Sequence, residues 1–183
     1  MILIVAGVSG SGKTTVSALL AGELHWNFVD GDAFHLAAAV KKMRSGTPLT
    51  DADRWPWLQA IAAWMDERIT RGESAVICCS ALKRSYRDFL LDGRPEARMV
   101  FLAVDHDLLA RRLADRHGHF FPAQLLDSQF DSLEPPQPDE HTVTVVEHSD
   151  DRPADTVASI IRLLRLGDGV GSSASGGEHE AET

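Results

Sequence analysis

Gly7-Val8-Ser9-Gly10-Ser11-Gly12-Lys13-Thr14 meets the spacing G-x-x-x-x-G-K-S/T at every position. Its glycines let successive backbone N–H groups turn toward one anion. The residues after it open a helix whose N-terminal partial charge favours that anion. Lys13 is placed to reach the terminal phosphates of a nucleotide, and the Thr14 hydroxyl to ligate Mg2+. Gly7 through Thr14, with Thr15 beginning the helix, are the expected ATP-binding residues. Before the loop, Ile2–Ala6 is a short apolar run suited to a strand buried on both faces. The loop alone does not separate a kinase from a GTPase or a motor ATPase.

Four further runs read as strands: Asn27–Asp30, Ser74–Cys79, Arg98–Val104 and Thr142–Val146. Helices are expected over about Lys13–Leu24, His35–Arg44, Pro56–Arg71, Arg84–Leu91, Asp105–His117, Phe120–Leu133 and Pro153–Leu166. Thr47–Asp53 reads as polar and turn-like, with Pro56 in the first turn of the next helix and Gly72 at its end. Strands alternating with helices predict an α/β fold, with a five-stranded parallel sheet covered on both faces. Residues 1–166 are expected to form one domain. From Gly167 onward Gly, Ser and Glu dominate, a composition that cannot offset its ordering entropy, so 167–183 is expected to be a disordered tail.

The 183 residues suit one domain, and the apolar share of 44% and charged share of 25% are globular values. No stretch approaches the run of about 18 apolar residues that spans a bilayer. Met1–Ala6 has no basic segment, so no signal peptide is expected. The net charge is −9; the four carboxylates beyond Leu166, with no Lys or Arg beside them, leave −5 on the body. An acidic body argues against non-specific nucleic-acid binding but leaves room for a small anionic substrate held by local cations. Cys78 and Cys79 are adjacent, so on a strand they face opposite ways, which disfavours both a disulfide and a zinc site. Buried thiols in a reducing cytoplasm are expected.

The second strand ends in Asp30-Gly31-Asp32, with His35 just beyond, at the carboxyl edge where open α/β sheets bind ligands. Two carboxylates there can divide two roles. Asp30 suits Mg2+ through water, and Asp32 suits the proton of an acceptor hydroxyl. The same residues also suit an Asx turn capping the next helix. Arg54, before an expected helix start, suits a carboxylate substrate or an ion pair with Asp51 or Asp53. Lys83 and Arg87 are four apart, the spacing of one helical face, turned either to the cleft or to solvent. Arg111-Arg112-Leu113-Ala114-Asp115-Arg116-His117-Gly118-His119-Phe120-Phe121 joins a basic helix to a glycine and two aromatics, as a closing lid does. Arg116 and Arg112 are the candidates for stabilising transferred charge. His119 suits either the acceptor or a structural hydrogen bond.

These runs resemble the gluconate kinases of the small P-loop type, relatives of shikimate and nucleoside monophosphate kinases. The resemblance spans about Ile4 to Val146. It rests on the loop and Asp30-Gly31-Asp32 with His35, then on Lys42-Met43 through Pro56-Trp57-Leu58. Cys79-Ser80-Ala81-Leu82-Lys83 with Tyr86-Arg87-Asp88 follows, and then Gly118-His119-Phe120-Phe121 with Ser128-Gln129-Phe130 and Leu133-Glu134. It implies a three-layer P-loop kinase fold with a helical lid at about 116–135. It also implies transfer of the ATP γ-phosphoryl group to the 6-hydroxyl of D-gluconate with Mg2+, in a cytoplasmic enzyme that is often a homodimer. By position it implies that Asp32, Arg54 and Lys83 belong to the acceptor site and that Arg116 is the lid arginine. Together with the reading of the residues themselves, the expected catalytic residues are Lys13, Asp32 and Arg116, the ATP contacts Gly7–Thr15 and Arg112, and the metal pair Thr14 and Asp30. The expected acceptor site is Asp32, His35, Arg54, Lys83, Arg87 and His119. Leu36 and Ala39 replace the proline and asparagine usual in that family, at the wall of the acceptor pocket. Another hydroxy-acid such as shikimate, or a non-catalytic nucleotide-binding regulatory role, are the alternatives.

Overall fold

The computed structural model describes residues 1–114, 123–147 and 152–166. Five strands, β1 Ile2–Ala6, β2 Asn27–Asp30, β3 Ala75–Cys78, β4 Ala97–Val104 and β5 Thr142–Glu147, form one sheet in the order β2-β3-β1-β4-β5. Every pairing is parallel, as the alternation of strand and helix predicts. The helices are α1 Lys13–Leu24, α2 Ala37–Arg44, α3 Asp51–Thr70, α4 Arg84–Leu91, α5 His106–Ala114, α6 Ala123–Asp131 and α7 Pro153–Leu164.

β1 is the central strand, and each of its residues is fully buried. Its side chains alternate between two cores, as the two-residue strand period requires. Ile2, Ile4 and Ala6 share a cluster with Trp57, Leu58, Ile61 and Met65 of α3 and Tyr86 and Leu90 of α4. Leu3 and Val5 pack on the other face with Val16 and Leu20 of α1 and Val157 and Ile160 of α7. Each such side chain contributes about 1.5–3 kcal/mol by burial. Ile4→Ala would cost about 2–5 kcal/mol, because the packed layers on both sides cannot collapse into the space.

Two helix starts differ from expectation. α3 begins at Asp51, five residues before Pro56, so the segment read as a turn is partly helix. Thr50 and Asp53 form a reciprocal capping box that satisfies the first turn there. Pro56, exposed at the sixth helical position, forfeits one backbone hydrogen bond. The helix expected from His35 begins at Ala37, preceded by a 3-10 turn over Gly31–Phe34. The Asp30 carboxylate caps that turn by accepting from the Asp32 N–H at 3.0 Å. Residues 116–122 of the expected lid and the tail at 167–183 lie outside the described residues.

Candidate active site

Parallel strands deliver all their carboxyl ends to one edge of the sheet, and the loop Gly7–Gly12 leaves β1 at the middle of that edge. Gly7 has φ +144°, and a Cβ there would lie 2.8 Å from the Leu102 carbonyl, so only glycine fits. Its N–H donates to the Ser80 carbonyl at 3.2 Å, tying the loop to the chain after β3. Lys13, in the first turn of α1, folds across the loop and donates from Nζ to the Val8 carbonyl at 2.7 Å. Burial pulls its ammonium pKa below the usual lysine value, against the opposing pull of Asp32, Cys78, Cys79 and Asp30.

Registry sets the next contact. Asp30 pairs with Cys78 across β2 and β3, and both flank the start of α1. Thr14 Oγ1 donates to Asp30 Oδ2 at 3.0 Å and lies 3.8 Å from Cys78 Sγ. The structure thus brings together the two residues expected to serve a metal. Burial, then the Asp30 charge, pushes the Cys78 thiol up to about 11, so the free thiol stays protonated near neutral pH. Cys79 is pushed up by burial too, and both thiols are buried and free. A hydroxyl and one carboxylate are hard oxygen donors, few in number, which suits Mg2+ shared with substrate phosphates. Among the described residues no group of three or more His, Cys, Asp or Glu could hold a metal without such help.

On the other side of β3, Asp32 stands 76% exposed at the rim of the same edge. His35 lies beneath it, its side chain 4% exposed and Nε2 3.7 Å from Asp32 Oδ1. The His35 ring stacks on Trp57 at 4.5 Å and 10°, and Trp57 Nε1 donates to the Gly31 carbonyl at 2.7 Å. Gly31 leaves no room for a side chain, since a Cβ would meet the Cys78 carbonyl at 2.4 Å. Burial, and then Arg54 against the weight of Asp32, lowers the His35 pKa below its usual value. Its Nδ1 is buried without a hydrogen-bond partner among the described residues.

Arg54 Nη1 donates to Ser80 Oγ at 3.5 Å, so the residue that anchors Gly7 also receives Arg54. Lys83 is the N-cap of α4, not a residue of its face, and its Nζ donates to both Asp51 oxygens at 2.7 and 2.9 Å. Hydrogen bonds from Lys83 and from Tyr86 hold the Asp51 carboxyl below the usual range.

Arg87 requires a correction. The expected shared face with Lys83 does not form, because Arg87 turns inward to a buried pair with Glu140, its side chain 1% and the partner's 2% exposed. Its Nη1 donates to the Ala81 and Leu82 carbonyls. A guanidinium with those partners supports the chain under the site and does not face a substrate. Arg116 and His119 lie outside the described residues, as does the side chain of Arg112 on α5. The sequence offers Asp51 only as an ion-pair partner of Arg54 and Tyr86 only within the family run, because the Asp51 contacts with Lys83 and Tyr86 span 32 and 35 residues. It also gave no separate role to Gln129, whose contact with the loop is described below.

A family profile described as an AAA domain matches residues 2–136. A gluconokinase of Gluconobacter oxydans (strain 621H) is 50% identical over 143 residues, covering 78% of this chain and 80% of that protein. The thermoresistant gluconokinase of Escherichia coli (strain K12) is 44% identical over 169 residues, covering 91% of this chain and 94% of that one. Among solved structures, an unliganded sugar kinase from Janibacter sp. HTCC2649 matches with a TM-score of 0.83 at 41% identity, over 94% of this chain and 98% of its own. With the loop, the acidic pair and the cationic rim gathered at one sheet edge, these likenesses establish that the chain is a kinase and belongs to the gluconokinase family.

Proposed function

We propose that the protein transfers the γ-phosphoryl group of ATP to the 6-hydroxyl of D-gluconate, giving 6-phospho-D-gluconate and ADP. The observation that carries this reading is the layout of the sheet edge. Lys13, Thr14 and Asp30 meet at the phosphate loop, while Asp32, His35 and Arg54 stand beside it with Ser80 touching both groups. The names of the relatives support gluconate as the acceptor.

In this reading the loop N–H groups and Lys13 hold the phosphates, and Arg54 pairs with the carboxylate of the sugar acid. Asp32 hydrogen-bonds the 6-hydroxyl and takes its proton as the new O–P bond forms and the bond to the ADP oxygen breaks. Lys13, with Arg116 from the lid, offsets charge on the moving phosphoryl group. Thr14 and Asp30 would hold Mg2+, which supplies charge neutralisation at the β- and γ-phosphates when bound. His119 and Arg112 complete the acceptor and nucleotide sites, and Lys83 reaches the acceptor only by sharing its ammonium with Asp51. The working unit in this proposal is residues 1–166 as one domain, in a cytoplasmic homodimer. Among the described residues no helix is long and apolar enough to cross a membrane.

The test is ADP release with Mg2+-ATP and a panel of gluconate, shikimate and neutral polyols. Gluconate should stand well above the water background, with product phosphorylated at the 6-position by NMR. Release with shikimate alone would replace the acceptor, and no release with any acid would leave only nucleotide binding.

A further inference from the structure

Helix α6 grips the phosphate loop from a second direction. Leu126, Gln129 and Phe130 recur at the i, i+3, i+4 spacing that places side chains on one face of α6, and Leu133 follows just past its end. Leu126 is buried in one cluster with Val8, and Phe130 and Leu133 pack against that cluster. Gln129 is the polar member of the stripe, and its amide meets Ser9 twice. Oε1 accepts from the Ser9 N–H at 2.7 Å, and Nε2 donates to Ser9 Oγ at 2.8 Å.

The Ser9 N–H belongs to the same peptide group as the Val8 carbonyl, which accepts from Lys13 Nζ at 2.7 Å and from the Ser11 N–H at 3.2 Å. One planar unit is therefore held by Gln129 at its nitrogen and by Lys13 at its oxygen. Because the peptide is rigid about its C–N bond, turning one end turns the other. Two contacts from one amide also fix an orientation, where a single contact would fix only a distance.

We infer that Gln129 is a positioning residue for the nucleotide phosphates: it sets the Val8–Ser9 peptide and, through that peptide, the place of the Lys13 ammonium. The inference rests on ATP as the phosphoryl donor and not on the identity of the acceptor. It makes α6 a mechanical partner of the loop. A displacement of that helix reaches Lys13 through one peptide plane.

The test uses the full chain and a non-hydrolysable ATP analogue with Mg2+, titrated calorimetrically without acceptor. Gln129→Met keeps the length and the apolar packing against Val8 but loses both hydrogen bonds. Two neutral hydrogen bonds at their usual net worth correspond to about a thirtyfold loss, so analogue affinity should fall about thirtyfold. The KM for the acid acceptor should stay as in the unmodified chain, and the melting temperature should fall by no more than about 8 °C, which leaves the chain folded at the assay temperature. Ser9→Ala leaves α6 untouched and removes only the Oγ contact, so its loss should be smaller. The Ser9→Ala/Gln129→Met pair should be no worse than Gln129→Met alone. Equal affinity in a folded Gln129→Met would overturn the inference, as would losses that simply add in the pair or that an equally destabilising substitution away from the loop reproduces. If the unmodified chain does not bind the analogue, the donor reading fails and takes this role with it. If gluconate proves not to be the acceptor, this role is unaffected.

Discussion

Asp32 owes its position to its neighbour. The Asp30 carboxylate holds the Asp32 backbone N–H, which leaves the Asp32 side chain free at the rim, while Asp30 reaches Thr14 with its second oxygen. One acidic residue is thus committed to structure and to Thr14, and in the proposed mechanism the other serves the acceptor. Asp32→Asn keeps the shape and removes the base, so kcat should fall by about 10²–10⁴ while affinity for ATP holds. Near-normal turnover in that variant would remove Asp32 from the mechanism. His35 beneath it makes a separate statement about stability. Its folded pKa lies below the unfolded value near 6.5, chiefly because burial disfavours the imidazolium. Above that value its contribution is complete. As pH falls below it, the unfolded chain takes up a proton that the folded chain refuses, so stability is lost toward acid. The urea midpoint should therefore drop more steeply between about pH 7 and pH 5 in the natural chain than in His35→Gln. Parallel slopes would show that His35 is not held neutral.

At the scale of elements, the segment after α6 is strapped to α4. Glu134 accepts from the Arg84 N–H at 2.7 Å and so caps α4, Arg84 pairs with Asp139, and Arg87 pairs with Glu140 inside. The exposed pair adds little. The buried one is different, since losing either partner strands a charge. Glu140→Gln should cost about 3–5 kcal/mol by urea denaturation. Arg87→Met/Glu140→Leu should recover much of that, though the Ala81 and Leu82 carbonyls lose their donor. Equal losses in the single and the double variant would mean that the strap acts through something else. This pair also shows where the sequence runs out as a guide. β1, α1 and α4 lie where apolar runs, the glycine loop and helical spacing put them, because those signals are local. The partner of Arg87 is 53 residues away, and nothing in its neighbourhood distinguishes an arginine facing a cleft from one facing a buried glutamate. The start of α3 was hidden for a related reason. Pro56 is a plausible first-turn residue, but the capping box upstream satisfies more orphan N–H groups than the proline forfeits. Gln129 was legible in principle, as a single amide within an apolar stripe.

Across the whole molecule, the strand order divides the work. β1 leads into the phosphate loop, β2 ends at Asp30 and leads into Asp32, and β3 between them leads into Ser80. Ser80 holds Gly7 through its carbonyl and Arg54 through its hydroxyl. In the proposed function the donor and acceptor halves share an anchor but not their ligand contacts, so variants on one side should leave affinity on the other nearly untouched. Arg54 is the sharpest case. Lys83 spends its charge on Asp51, whereas Arg54 forms no salt bridge among the described residues. An arginine so placed can hold a carboxylate with two parallel hydrogen bonds, which a lysine's single ammonium does not reproduce. Arg54→Gln should therefore raise the KM for gluconate by about 10- to 100-fold, the scale of a charge-assisted pair, with the KM for ATP within about twofold. Glucitol, the neutral polyol of the same carbon skeleton, supplies the control. The natural chain should prefer gluconate strongly, and Arg54→Gln should lose most of that preference by weakening gluconate, with little change toward glucitol. Arg54→Lys should restore only part of it. If Arg54→Gln kept the full preference, recognition of the acid would lie elsewhere, and Lys83 after release from Asp51 is the candidate among the described residues. In that event Asp51→Asn, which frees that ammonium, would tighten gluconate binding, whereas recognition by Arg54 predicts no such gain.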